Sequence, residues 1–407
     1  MAEDAPSSSS TPLTPPLDEE DRLSWLRLLR SRRVGVATFY RLLAEHGSAD
    51  AALEALPEIA QKAGVKGYMP CTQATAADEF HRAKLAGAQM ICRGEAAYPA
   101  LLNHMEDAPP FLWAIGDLTT LGRPMIAMVG ARSASSLGLR TARRLAAGLV
   151  EAGFTVVSGL ARGIDGAAHE AALSRGGQGA TLAVHAGGAD VVYPAEHAAL
   201  AQEISERGLR VSEAPIGLVP HVRHFPPRNR IVAGLSRAVV VIEAAAKSGT
   251  LITARAALDI GRDVLAVPGH PFDGRAAGCN FLIRDGATLV RDAKDVLEVV
   301  GTAKTVDPEP STDRKEDTPD EAATVKSDVP ATQCARQKPI EAHALHQRIL
   351  DRLGPSPLAE DQLIRDLGAS AGTVGAGIVE LEILGQIRRQ PGGLLSLADV
   401  DTGSRPN

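Results

Sequence analysis

Aromatic side chains are scarce: Phe, Trp and Tyr together make up 3% of the 407 residues. A chain this poor in rings has few platforms on which a base can stack, so each exposed ring weighs more. Cysteine is scarcer still. Cys71, Cys92, Cys279 and Cys334 are widely scattered and form no CxxC pair. That argues against a disulfide framework and a cysteine zinc site, and it fits a reducing cytoplasm. No stretch approaches the roughly 18 uninterrupted apolar residues of a membrane span. The opening segment, MAEDAPSSSSTPLTPP, is acidic and Ser/Pro-rich without an apolar centre, so no signal peptide is expected. A formal net charge of −6 speaks against a general polycation but leaves room for a local basic groove.

What is present divides the chain. Residues 1–17 are small, polar and proline-rich and read as disordered. Residues 18–90 carry helical spacing, with breaks expected at Gly35, Gly47, Pro57 and Gly64. They look like a helix-hairpin-helix or SAM-like module, or else a small bundle that only packs. In the former, Gly35-Val36-Ala37 would bring amides to a phosphate. Within residues 98–300, short β-branched runs alternate with helical stretches. The strands are expected at Met125–Val129, Thr155–Val157, Thr181–Val184, Leu209–Val211, Ala238–Ile242, Val264–Val267 and Thr288–Val290, with Phe111–Ile115 laid on an edge. This pattern predicts an α/β domain, a Rossmann-like doubly wound, mainly parallel sheet with ligands at the carboxyl ends of its strands. Residues 301–338 lack apolar periodicity and read as a disordered linker. Residues 339–398 offer three helices and a hairpin turning at Pro391-Gly392-Gly393, the winged-helix order, with Ser370 as an N-cap.

The strand-end loops carry the candidate chemistry. The densest is Phe225–Thr250: residues 215–255 hold six Lys or Arg and one acid, Glu243. Arg223, Arg228, Asn229 and Arg230 flank Phe225, the pairing of ring and cations that a single strand needs. The alternative is that Phe225 plugs the core and the arginines pair with Glu213 or Glu243. Lys247-Ser248-Gly249-Thr250 begins a helix and makes an anion seat, but it lacks the GxxxxGK[ST] spacing of a Walker loop. The first strand ends at Gly130, Arg132 and Ser133. It has no GxGxxG, and no acid closes the second strand, so a dinucleotide site is not expected. The second strand runs into Gly159 and Arg162, then Asp165 and His169, four residues apart on one helix face. These two form either an acid/base pair or, as preferred here, a structural pair at a helix start. Tyr193 either stacks or packs, and Asn280 is expected to cap a helix. Neither a metal nor a cofactor is expected.

Together, SGLARGID with AxH (158–169), Tyr193-Pro194, FPPRNRIVAGLS (225–236), VVVIEAAAKSGTLITA (239–254) and VPGHPFDGRAAGCNFLIRDGA (267–287) resemble the DNA-processing protein A family, also called DprA or Smf. One departure is that Tyr193-Pro194 is followed by Ala195-Glu196-His197, where the family usually reaches an Asn. The resemblance implies a non-enzymatic, cytoplasmic homodimer. It would bind single-stranded DNA and load the RecA recombinase onto strands taken up in natural transformation, displacing single-strand-binding protein. By position, Arg132 and the cations around Phe225 would hold phosphates and Phe225 would stack a base. Arg228, Asn229, Lys247 and Ser248 would line the same pocket. The winged helix fits less well as a DNA reader, since Thr373–Leu384 carries two Glu and no Lys or Arg. Two other readings stand beside this one. A Rossmann-like nucleotide phosphoribohydrolase would need a PGGxGTxxE pattern that the sequence lacks; a winged-helix transcription regulator would use residues 339–407 on duplex DNA.

Overall fold

The computed structural model describes residues 15–303, 342–353, 358–390 and 393–398. Most of the expected N-terminal tract and of the linker lies outside them, as do Pro391 and Gly392 of the expected turn.

Four helices open the chain: α1 (Glu19–Arg30), α2 (Val36–His46), α3 (Ala49–Lys62) and α4 (Gln73–Leu85). Asp18, Ser48 and Thr72 cap α1, α3 and α4, each accepting from an amide in the first turn. The break expected at Pro57 does not occur; Pro57 lies inside α3. The hydrogen bond that an interior proline forfeits is offset by burial of Leu53, Leu56 and Ala60 on the same helix.

Next come β1 (Gln89–Cys92), a strand the sequence reading missed, α5 (Ala100–Asn103) and β2 (Phe111–Gly116). The α/β body then runs β3 (Met125–Val129), α6 (Ser136–Glu151), β4 (Thr155–Ser158), α7 (Ile164–Arg175), β5 (Thr181–Val184), α8 (Ala198–Arg207) and β6 (Leu209–Ser212). It continues with α9 (Phe225–Leu235), β7 (Ala238–Val241), α10 (Thr250–Asp259), β8 (Asp263–Ala266), α11 (Ala277–Arg284), β9 (Thr288–Leu289) and α12 (Ala293–Val300).

One nine-stranded sheet takes the order β1-β2-β6-β5-β4-β3-β7-β8-β9. From β6 to β9 every pair is parallel; β1 and β2 are antiparallel additions at one edge. Strands β3, β4, β5 and β7 are buried along their whole length, as β-branched runs covered on both faces should be. Residues of α9, α10 and α11 pack on one face and of α6, α7 and α12 on the other. The chain leaves β3 first toward β4 and later returns on its other side as β7. The crevice at the carboxyl ends of β3 and β7 is therefore the switch point where a doubly wound sheet binds ligands.

Strand β2 is shared by two cores. Leu112 and Ala114 point into the core of the α/β body, while Phe111, Trp113 and Ile115 point into a core built with α1–α4. The last module comprises α13 (Ala342–Arg352), β10 (Leu358–Ala359), α14 (Glu360–Leu367), α15 (Ala371–Leu384), β11 (Ile387–Gln390) and β12 (Leu394–Leu397). Ser370 caps α15 as expected, and the wing holds three strands, β10-β12-β11, rather than two. No single described helix is long and apolar enough to cross a membrane.

Candidate nucleic-acid interface

The parallel strands β3 to β9, with crossover helices running back between them, send their carboxyl ends and the N-terminus of α9 to the same rim. Helix α9 begins at Phe225, with prolines at 226 and 227 in its first turn, where a missing N–H costs nothing. Phe225 is partly exposed there. The Arg132 guanidinium lies over its ring at 4.8 Å, and the half-exposed Tyr193 ring stands 5.9 Å away at 53°. Gly159, Leu160, His185, Ala186, Gly187, Val191 and Pro220 complete a small cavity beside the two rings. The ring is thus at the rim rather than in the core. Tyr193 packs on it and still faces solvent.

The loop that carries Arg132 is fixed from three sides. Glu243, at the end of β7, accepts from the Ser135 amide (2.8 Å) and from the Ser135 hydroxyl. Ser135 in turn caps α6 through the Gly138 amide, and Ser133 is exposed. A Cβ at Gly138 would collide with the Glu243 carboxylate. Thr250 donates its hydroxyl to the Gly130 carbonyl at 3.1 Å, and Ser248 bonds Thr250. This draws the Lys247-Ser248-Gly249 turn against the Gly130 loop, with Lys247 and Gly249 exposed. On the other side Ile164 donates to Ala131, and Gly163, at φ +76°, lies too close to the Ala131 and Arg132 carbonyls for any side chain.

Two of the expected phosphate ligands are corrected. Arg228 is only 6% exposed. Its guanidinium lies on Gly159, where a Cβ would fall inside it, and it donates to the Val184 carbonyl at 3.4 Å. Burial pulls it below arginine's ordinary value while Asp165 opposes that shift. It forms the floor under Phe225, 5.9 Å from the ring centroid. Arg230 is 9% exposed and holds Glu213, the Asp107 carbonyl (2.5 Å) and the Asp107 carboxylate (3.4 Å). It belongs to the scaffold, as the Glu213 alternative anticipated. Arg162 is exposed but forms a bidentate pair with Glu196 at 2.6 and 2.9 Å. Solvent screens so exposed a pair, and a phosphate can displace it. Arg223 is exposed beside His224, and Asn229 is partly exposed on α9.

Asp165 and His169 are both buried, but not bonded to each other as expected. Asp165 accepts from the Gly159 (3.2 Å) and Ala161 (3.4 Å) amides and sits near Arg228; burial pushes its carboxyl up. His169 bonds Thr181 through Nδ1 at 2.7 Å, and burial lowers its pKa to about 3. His185, lowered to about 4 by burial, bonds the Val191 carbonyl through Nδ1. Asn280 does not cap a helix. It lies within α11, and its amide clamps both backbone groups of Gly269 at 3.0 and 3.1 Å. His185 and Leu160 (φ +56°) escaped the sequence reading, since neither carries a charge or a spacing that sets it apart from the glycine-rich strand ends around it.

Residues 89–301 match the family described as DNA recombination-mediator protein A. The chain belongs to the DNA recombination-mediator protein A family. Residues 19–82 match the DprA-like N-terminal HHH domain and 333–393 the DprA winged helix domain of such long-form members. Protein Smf of a Synechocystis strain is 36% identical over 75% of this chain and 79% of its own length. DNA processing protein DprA of Streptococcus pneumoniae is 46% identical over 49% of this chain and 70% of its own. An X-ray structure of DNA processing protein A from that species aligns with 66% of this chain and 98% of its own, at TM-score 0.52 and 35% identity. The family supports a DNA-processing, recombination-mediator role for the chain.

Proposed function

We propose that the chain binds single-stranded DNA at the rim formed by Arg132, Tyr193, Phe225 and Lys247, without catalysing a reaction. It works as a cytoplasmic homodimer that displaces single-strand-binding protein and loads the RecA recombinase onto strands acquired in natural transformation. The observation that carries the binding site is the Phe225 ring held at the rim under the Arg132 guanidinium. A ring with a cation above it accepts a base and its phosphate together. The non-enzymatic reading rests on Asp165 and His169, whose polar contacts are with the protein's own groups: two backbone amides for Asp165 and Thr181 for His169.

Salt-titrated oligonucleotide binding by the full chain tests the site. Phe225→Ala should weaken single-strand binding by about 1–3 kcal/mol, the range for one stacked base. Arg132→Ala should also flatten the slope of log affinity against log salt by about 0.7, one phosphate's share. Unchanged affinity in both variants sinks the assignment. RecA filament nucleation on a strand coated with single-strand-binding protein tests the loading step. No acceleration by the wild-type chain would remove that step while leaving the binding site in place.

A further inference from the structure

Helix α15 is apolar on two sides. Val374, Ile378 and Leu381 form one stripe and Val379 and Ile383 another. Each apolar stripe needs its own cover. The first stripe fills the winged-helix core with Leu345, Ile349, Leu363, Leu367, Ile387 and Leu395. The second leaves that module altogether. Val379 (3% exposed) and Ile383 (0%) lie in the core of the N-terminal helices, and α15 packs against α3.

Polar contacts lock the same face. Arg33, in the turn between α1 and α2 and at φ +66°, donates to the Ile383 carbonyl at the end of α15. Arg41 donates to the Gly375 carbonyl (2.5 Å) and to Glu360 (2.8 Å), and Thr38 donates to Glu382 (3.0 Å). From behind, Arg389 on β11 holds both Glu360 (2.8 Å) and Glu382 (3.1 Å) in position.

We infer that the outer face of α15 is a protein-docking surface whose partner is the N-terminal helical module of the same chain, through α3 and the α1–α2 hairpin, and that this docking masks the chain's own duplex-binding elements. In a winged-helix module α15 is the element that would enter a groove. Here it carries Glu380 and Glu382, no cation, and an apolar stripe under cover. The hairpin has the opposite character. Arg32 and Arg33 lie in the turn before α2 and Arg41 at its middle, and the N-cap Gly35 offers no side-chain acceptor to the first amides. Cations beside uncapped helix amides suit a phosphate backbone. In the docked form Arg33 and Arg41 are committed to α15 and Glu360. Undocking returns them to solvent. The inference concerns the helical modules only and stands independently of the rim at Phe225.

The test uses the full chain. Ile383→Asp puts a charge into the docked face but not into the winged-helix core, to which Ile383 does not belong. A second variant, Glu360→Gln/Glu382→Gln, weakens the polar lock and leaves every hairpin cation in place. Amide hydrogen exchange over residues 36–46 and 371–384 reports docking. Fluorescence anisotropy compares a duplex with a single strand of equal length at one salt concentration. Both variants should exchange faster. Duplex affinity should rise about tenfold in the first and about threefold in the second, as phosphate-binding cations are released. Single-strand affinity should stay within about twofold, because the rim is untouched. Faster exchange with unchanged duplex affinity in both variants would show that the contact masks nothing. Unchanged exchange in both would show that α15 is not docked in solution. Either result overturns the inference.

Discussion

Arg230 offers the sharpest test of how charge is used in this protein. By composition it belongs to a basic DNA-binding cluster; in the fold it is a buried ion-pair partner of Glu213 and Asp107. Replacing it with Met keeps most of the volume and removes the charge. Breaking a buried pair by deleting one partner costs about 3–5 kcal/mol, because the other charge is stranded. Glu213 keeps about one-fifth of its side-chain exposure, which places the cost near the lower bound, about 3 kcal/mol. Burial already pushes the Glu213 carboxyl up, and Arg230 is the main group pulling it down. Without Arg230 its folded pKa rises further above the unfolded value near 4.3, so the folded state holds a proton that the unfolded state releases. The variant's deficit should therefore be small at about pH 4 and grow as pH rises, levelling off above the raised folded pKa. Urea unfolding of Arg230→Met and of Arg230→Met/Glu213→Leu, at several pH values, measures this. The double variant should recover most of the loss, since apolar replacement of a buried pair is often neutral. A loss under about 1 kcal/mol at pH 7, with a flatter salt dependence of oligonucleotide binding, would refute the assignment and return Arg230 to the DNA site.

Two further outcomes follow from the floor of the site. Gly159→Ala should destabilise the fold by about 1–3 kcal/mol through overpacking, or more if Arg228 is expelled and Asp165 is left unpaired. Thermal melting beside single-strand affinity reads both effects, and a neutral Gly159→Ala would mean that Arg228 does not rest there. His169 and His185 have folded pKa values lowered to about 3 and about 4, below the unfolded 6.5. Each contributes stability at neutral pH that is lost as pH falls from about 6.5 toward those values, at up to about 1.4 kcal/mol per pH unit. Acid titration of wild type against His169→Gln should show a shallower slope in the variant; equal slopes would mean that His169 is not buried neutral.

The α/β sheet was legible because β-branched runs such as Ala238–Val241 are buried on both faces, and burial of that kind leaves a mark in composition. Phe225 stood out as a ring flanked by cations, but whether it faced the core or the rim stayed open in the sequence, because the helix start that places it at the rim lies at Phe225 itself. The arginines were misread because charge counting along 41 residues cannot see Asp107, which is 123 positions from Arg230. Asp165 and His169 share a helix face, yet Gly159, Ala161 and Thr181 offered each a nearer partner. Pro57 broke nothing because its helix is held by packing rather than by propensity.

The alternation along β2 has a consequence for how the chain is divided. Phe111, Trp113 and Ile115 complete one core while Leu112 and Ala114 complete the other. Similarity boundaries fall near residue 89, but no cut there or at residue 110 leaves two finished interiors. Five consecutive residues act as a party wall, and what harms either interior is felt through it by both.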